Sequence, residues 1–274
     1  FDYNVKIIQF EKEIRNYPPF FEENVGKGIA QDILNKINGK KVIFVLDVSG
    51  SMGAVDTPPC EGEKYRSSTN SRICCLKKFT LFFLDNLANE TEVGINFFGV
   101  GSCDFKWSIN PYKRISDITQ SDKDEILNQI PQDGTPILKS LYEAVQKAEK
   151  DSYIVLLTDG GENCWGVSEN DVVNLIKNKN ITLLSIGFGR GADVNFLKGL
   201  KSLVGGEVYE AKDCEELVEK APEIETKTIK IEKIGWSFGL LERRVGGVNV
   251  YGPKITLKTQ VSIPILIKYN ETFI

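Results

Sequence analysis

Between Lys41 and Pro222 the chain alternates short apolar runs with longer segments whose apolar residues recur at helical spacing. The runs "VIFVLD", "EVGINFFGV", "YIVLLTD", "ITLLSIGFG" and "GEVYEA" read as strands. The segments "SRICCLKKFTLFFLDNLA", "SDKDEILNQI", "TPILKSLYEAVQKAEK", "SENDVVNLIKNK", "DVNFLKGLKSLV" and "CEELVEKA" read as helices. Parallel strands need long crossovers, and a sheet with helices on both faces buries its strands on both sides. The alternation therefore predicts an α/β fold, a doubly wound and mainly parallel sheet with helices on both faces. "FKWSINPYKRI" is a more polar strand, and Pro111 within it suits an edge. Ser121 is the expected N-cap of "SDKDEILNQI", and Pro136 stands in the first turn of the helix that follows.

The two ends break the alternation. Residues 223–274 alternate apolar and polar residues, interrupted by Gly-Gly and Gly-Pro, which is the pattern of antiparallel strands. In residues 1–40, "YNVKIIQF" reads as a further strand and "GIAQDILNKI" as a short helix leading into Lys41. The expected organisation is an α/β domain at 41–222 inserted into a smaller β-rich domain made from residues 1–40 and 223–274.

Composition removes several chemistries. The chain has no histidine, so no histidine-based triad, histidine general base or HExxH zinc helix can be assembled within it. A net charge of -4 lacks the electrostatic footprint of a nucleic-acid binder. No apolar run approaches the ~20 residues that span a bilayer; the longest candidate, "VSIPILI", is short and followed by Lys268. The sequence opens on Phe1, which fits removal of an upstream segment such as a signal peptide. Six cysteines occur without a CxxC, and paired cysteines outside the reducing cytosol fit them better than a zinc site does. "NET" occurs at Asn89 and Asn270, both candidate glycosylation acceptors on an exported protein.

Chemistry concentrates where the strands end. "KVIFVLDVSGSM", Lys41 to Met52, turns from a buried strand into Asp47, Ser49 and Ser51 within one loop. "LLTDGGEN" places Asp159 at the end of another strand, and "DGTPI" places Thr135 in a loop between them. In an open α/β sheet these carboxyl ends share one edge, where ligands bind. Two carboxylates and three hydroxyls form an all-oxygen donor set, which suits a hard divalent cation: Mg²⁺, or Ca²⁺ or Mn²⁺. Such a set leaves a coordination position for an incoming carboxylate. The alternative, that DxSxS only caps a helix, does not account for Thr135 and Asp159 in register with it. "GFGRGAD" lacks dinucleotide-loop spacing and reads as a strand-to-helix turn.

Asp47-Val48-Ser49-Gly50-Ser51, then Thr135, then Asp159 resemble, in order and context, the metal-ion-dependent adhesion site of von Willebrand factor type A domains. The resemblance covers about residues 41–222, and "GSCDFKW", "DGTPILKSLYEA", "TDGGENC" and "GGEVYEAKDCEEL" are similar to its exported bacterial and archaeal branch. It implies that Ser49, Ser51 and Thr135 ligate the metal directly or nearly so, with Asp47 and Asp159 acting directly or through water. It also implies non-catalytic binding of a protein partner through an exposed Asp or Glu carboxylate.

Cys103 follows one strand and Cys164 follows the strand bearing Asp159, so a disulfide there would brace the ligand loops. A second bridge is expected from Cys60 to Cys74 or Cys75, although six cysteines allow 15 complete pairings. Trp165 and Glu162 are candidates for a partner-contacting rim. The expected function is an extracellular or cell-surface, cation-dependent adhesion module. Two alternatives are a structural subunit of a surface filament, joined to its neighbours through the terminal β region, and a non-catalytic subunit of an enzyme or chaperone complex.

Overall fold

The structure is a computed structural model and describes residues 28–218 together with six short strand segments between 228 and 262. The chain divides into two compact units, Lys27–Ala221 and a second comprising Phe1–Gly26 and Pro222–Ile274.

The larger unit is built on a six-stranded sheet of order β3-β2-β1-β4-β5-β6. Its strands are β1 (Lys41–Asp47), β2 (Glu92–Val100), β3 (Asp104–Arg114), β4 (Tyr153–Thr158), β5 (Thr182–Phe188) and β6 (Glu207–Ala211). All neighbours pair in parallel except β3, which runs antiparallel to β2 at one edge. The mainly parallel, two-sided α/β fold read from the alternation is the fold observed. Central strands are apolar at consecutive positions because each face meets helices. In β1, Val42, Phe44 and Leu46 join one core, while Ile43 and Val45 join the other. In β4, Val155 and Leu157 face the first core and Ile154 and Leu156 the second.

The first core is closed chiefly by α1 (Ile29–Ile37) and α2 (Arg72–Asn86), with Ile126 of α3 (Gln120–Leu127) and the single turn α7 (Cys214–Leu217). The second is closed by α4 (Ile137–Lys147), α5 (Glu169–Lys179) and α6 (Val194–Val204). Phe79, Phe83 and Phe44 meet in the first core with successive ring centroids 4.9 and 5.0 Å apart, the tilted arrangement that aromatic quadrupoles favour.

Two local features differ from the sequence reading. Helix α1, assigned above to a terminal domain, buries Ala30, Ile33, Leu34 and Ile37 in the first core, because its apolar stripe matches the sheet face beside α2. The N-cap of α3 is Thr119, whose hydroxyl accepts the Asp122 N–H in a capping box, so the helix starts one position before Ser121. Pro111 does stand in the edge strand, where its ring packs against Gly94 at a register shift between β2 and β3. "GFGRGAD" is the turn from β5 into α6, with Asp193 capping the Phe196 N–H.

In the second unit, three antiparallel pairs nest around one point of the sequence. β9 (Arg243–Val245) pairs with β10 (Val248–Val250), β8 (Ile234–Gly235) with β11 (Thr256–Leu257), and β7 (Thr228–Ile229) with β12 (Val261–Ser262). The expected strand "YNVKIIQF" and Asn270 lie outside the described residues. Among the described residues no helix is long and apolar enough to cross a membrane.

All six cysteines pair: Cys60 with Cys74, Cys75 with Cys214, and Cys103 with Cys164. The adjacent Cys74 and Cys75 fasten the start of α2 in two directions, to the long loop after β1 and to α7. The Cys75–Cys214 bridge joins residues 139 positions apart and lies in the core. Cross-links that close long loops restrict the unfolded chain most. Replacing both partners, Cys75→Ala with Cys214→Ala, is expected to lower unfolding free energy by about 2–5 kcal/mol in urea titration. A loss below ~1 kcal/mol would show that the bridge does little for this fold.

Candidate metal centre

β1 and β4 are adjacent and parallel, so their carboxyl ends emerge side by side. Asp47 closes β1 and is fully buried. One of its oxygens accepts the Ser49 N–H at 2.8 Å and the other the Thr158 hydroxyl at 2.6 Å. Burial, then the nearby charge of Asp159, push the Asp47 carboxyl up to about 6. A carboxyl raised above its unfolded value makes the ionised cation-free site cost stability as pH climbs from the unfolded pKa toward 6. Asp47 forms none of the ion pairs found among the described residues, so this negative charge calls for a cation.

The donor oxygens converge beyond it. Ser49 Oγ lies 3.0 Å from Ser51 Oγ, and Ser51 Oγ donates to Asp159 Oδ1 at 2.6 Å. Adjacent ligands of an octahedral Mg²⁺, each at about 2.1 Å, stand roughly 3 Å apart. The serine pair has that edge length. Hard oxygen donors, buried uncompensated charge and this spacing fit a divalent cation, for which Ser49, Ser51 and Asp159 would be the nearest donors.

Thr135 is buried in the loop before α4. Its N–H donates to Asn163 Oδ1 at 2.7 Å, and the Asn163 N–H donates back to its carbonyl at 3.4 Å. This reciprocal pair holds the Thr135 loop to the loop that carries Asp159. Gln132 ties the same loop to β1 by donating its N–H to the Val48 carbonyl at 2.7 Å. Gly99 completes the arrangement. With φ of +85°, it sits where a Cβ would come within 2.8 Å of both Ser49 N and Gly134 O. The loops of Ser49 and Thr135 thus approach β2 at a point where any side chain would hold them apart.

Glu162 is half-buried. Its two oxygens accept the Leu138 N–H at 2.6 Å and the Cys164 N–H at 2.7 Å, the first being an orphan donor at the N-terminus of α4. Trp165, by contrast, is 97% exposed. The Cys103–Cys164 bridge joins the β2–β3 turn to the β4–α5 loop beside Asn163. Asn89 is exposed, whereas Thr91 of the same tripeptide is buried and accepts the Gly39 N–H at 2.9 Å.

The reading of isolated motifs missed Thr158, Asn163, Gly99, Arg72 and Asp56. Arg72 Nη1 donates to Asp159 Oδ2 at 2.8 Å, while Nε and Nη2 fork onto Asp56 at 2.9 and 2.6 Å. Only Thr158 carried a local signal, since it precedes Asp159. The others act across distances in sequence that no motif spans.

The sequence model of the von Willebrand factor type A domain matches residues 41–221, and the chain belongs to this family of protein-interaction domains. Similar solved structures include a von Willebrand factor type A protein from Catenulispora acidiphila, at 15% identity and a TM-score of 0.49 over 73% of this chain and 46% of that one. The ArnB paralog VWA2 from Sulfolobus acidocaldarius shows 18% identity and a TM-score of 0.49, over 81% of this chain and 58% of that one. The PilB minor pilin from Streptococcus sanguinis shows 18% identity and a TM-score of 0.48, over 64% of this chain and 57% of that one. This chain thus spans about half the length of those structures. A search of curated proteins finds no match.

Gly99→Ala is expected to destabilise the fold by about 1–3 kcal/mol, through strain at positive φ and the clash with two backbone segments. It should also weaken divalent-cation binding although Gly99 offers no ligand atom. Unchanged cation affinity by calorimetric titration would show that the loops tolerate being spread.

Proposed function

We propose that this domain is a divalent-cation-dependent protein-binding module whose metal-ion-dependent adhesion site captures a carboxylate on a partner. The carrying observation is the contact of Ser49, Ser51 and Asp159 oxygens from two strand ends, with Thr135 tied to the same edge through Asn163. Ser49, Ser51 and Thr135 are the neutral ligands in this reading, and Asp47 and Asp159 supply the charge directly or through water. Few anionic donors leave a bound Mg²⁺, Mn²⁺ or Ca²⁺ electrophilic, and an Asp or Glu side chain of another protein satisfies it. The proposed role is adhesive: an oxygen donor set of this kind binds a cation and, through it, a partner carboxylate.

The rim supports a protein ligand. Among described residues, the large apolar side chains most exposed are Trp165, Ile130 and Val55, and each lies within a few positions of Asp159, Thr135 or Ser51. Tryptophan is the residue type most enriched at interaction hot spots, which makes Trp165 the candidate anchor. Three disulfides support folding in an oxidising compartment, and with it an extracellular or cell-surface location on the exported branch of the family.

Mg²⁺ and Mn²⁺ should each bind once per chain in calorimetric titration. Asp159→Ala should abolish that binding and the accompanying rise in Tm, while far-UV circular dichroism stays as in the parent. A variant that still bound the ion with parental affinity would remove Asp159 from the site. Trp165→Ala should leave cation affinity unchanged and weaken adhesion to a cognate surface by tenfold or more, as truncated aromatic anchors do at about 2 kcal/mol or above. Adhesion that persists in EDTA would overturn the cation-dependent mechanism.

A further inference from the structure

The two site carboxylates are treated differently by the protein. Asp47 is met only by neutral donors, whereas Asp159 is already in contact with a cation, the guanidinium of Arg72. That guanidinium has a built cradle. Arg72 is the first residue of α2, next to the Cys74 and Cys75 bridges, and its backbone N–H donates to the Ala54 carbonyl at 3.0 Å. Its Nη2 also donates to the Arg190 carbonyl at 3.0 Å, besides the fork onto Asp56. Gly189 leaves room for it, since a Cβ there would lie 2.6 Å from Nε. Segments after β1, β4 and β5 therefore converge on one arginine.

This contact acts on the face of Asp159 opposite the donor set. Oδ1 meets Ser51 and Oδ2 meets Arg72. Asp47, Asp159 and Asp56 supply three negative charges and the hydroxyls are neutral, while Arg72, forked onto Asp56 and touching Asp159, offsets one of them. Arg72 therefore takes up part of the negative charge that Asp159 would otherwise offer a divalent ion.

We propose, building on the cation-site reading above, that Arg72 is a positioning residue and internal counter-charge that keeps cation affinity low until an external carboxylate joins the site. Cation and partner carboxylate then bind cooperatively. Asp56, with a side chain 28% exposed, holds the guanidinium from the solvent side and is the clamp that keeps it in place. A buried unit charge touching a ligand carboxylate changes divalent affinity by about tenfold or more at an effective dielectric near 20.

The test titrates Mn²⁺ into the parent protein, Arg72→Gln and Arg72→Lys, each with and without saturating acetate at constant ionic strength. Three results are expected. The parent binds Mn²⁺ more tightly with acetate present. Arg72→Gln binds Mn²⁺ about tenfold more tightly than the parent without acetate and gains little from it. Arg72→Lys, which keeps the charge, stays close to the parent. Folded Arg72→Gln binding Mn²⁺ no more tightly than the parent would overturn the counter-charge role and leave the cation site standing. Equal parent affinity with and without acetate would overturn the cooperativity and needs no variant to read. A parent protein that binds no Mn²⁺ would overturn the cation site and this inference together.

Discussion

Two neighbouring parallel strands bring the carboxylates of Asp47 and Asp159 out at the same edge of the sheet, both buried. Burial of like charges is among the most expensive arrangements a protein can adopt. The surrounding structure answers that cost. Thr158 and the Ser49 N–H spend their hydrogen bonds on Asp47, and Arg72 is drawn from the start of α2 onto Asp159. The loops are short of space for the same reason, since the donors must face inward toward one point. A module that only needed stability would replace such a cluster with apolar residues. Its presence is the physical argument for a ligand with positive charge.

The rigidity needed to hold the cluster comes from outside it. Disulfides fasten the loop after β1 to α2, and α2 to α7, while Cys103–Cys164 ties the β2–β3 turn to the loop beyond Asp159. Reciprocal hydrogen bonds between Thr135 and Asn163, and the close approach at Gly99, fix the remaining loop. Sites carried on loops keep their geometry only when the scaffold overdetermines it. Here covalent links, backbone contacts and side-chain bonds act on the same three loops.

Much of this was legible from residue order. Strands buried on both faces read as unbroken apolar runs, so β1, β4 and β5 and their crossovers were evident, and Pro111 marked the edge strand. Asp47, Ser49, Ser51 and Asp159 stood out because apolar strands that end abruptly in oxygen donors set those donors at the sheet edge where ligands bind. The structure places Ser51 and Asp159 in contact across 108 positions. The bond from the start of α4 to the Glu162 carboxylate was not legible, since no motif links residues 24 positions apart. Helix α1 misled because its apolar stripe shows that it packs but not against what. Arg72 was invisible for a similar reason, since a basic residue at the start of a helix normally faces solvent.

The choice of arginine bears on how the site would respond to its ligands. Guanidinium keeps its charge at any physiological pH, and its contacts with Asp56 and then Asp159 hold it above its ordinary pKa, so proton release cannot remove this cation. Its planar fork satisfies Asp56 with two parallel bonds while a third N–H reaches Asp159, a division of contacts that a lysine ammonium cannot reproduce in fixed geometry. The side chain is therefore a permanent charge at a defined place. A second cation arriving beside Asp159 shares that carboxylate with one the protein never gives up. On the proposed reading, an anion from outside then completes the site, and an acidic side chain of a protein partner would supply it.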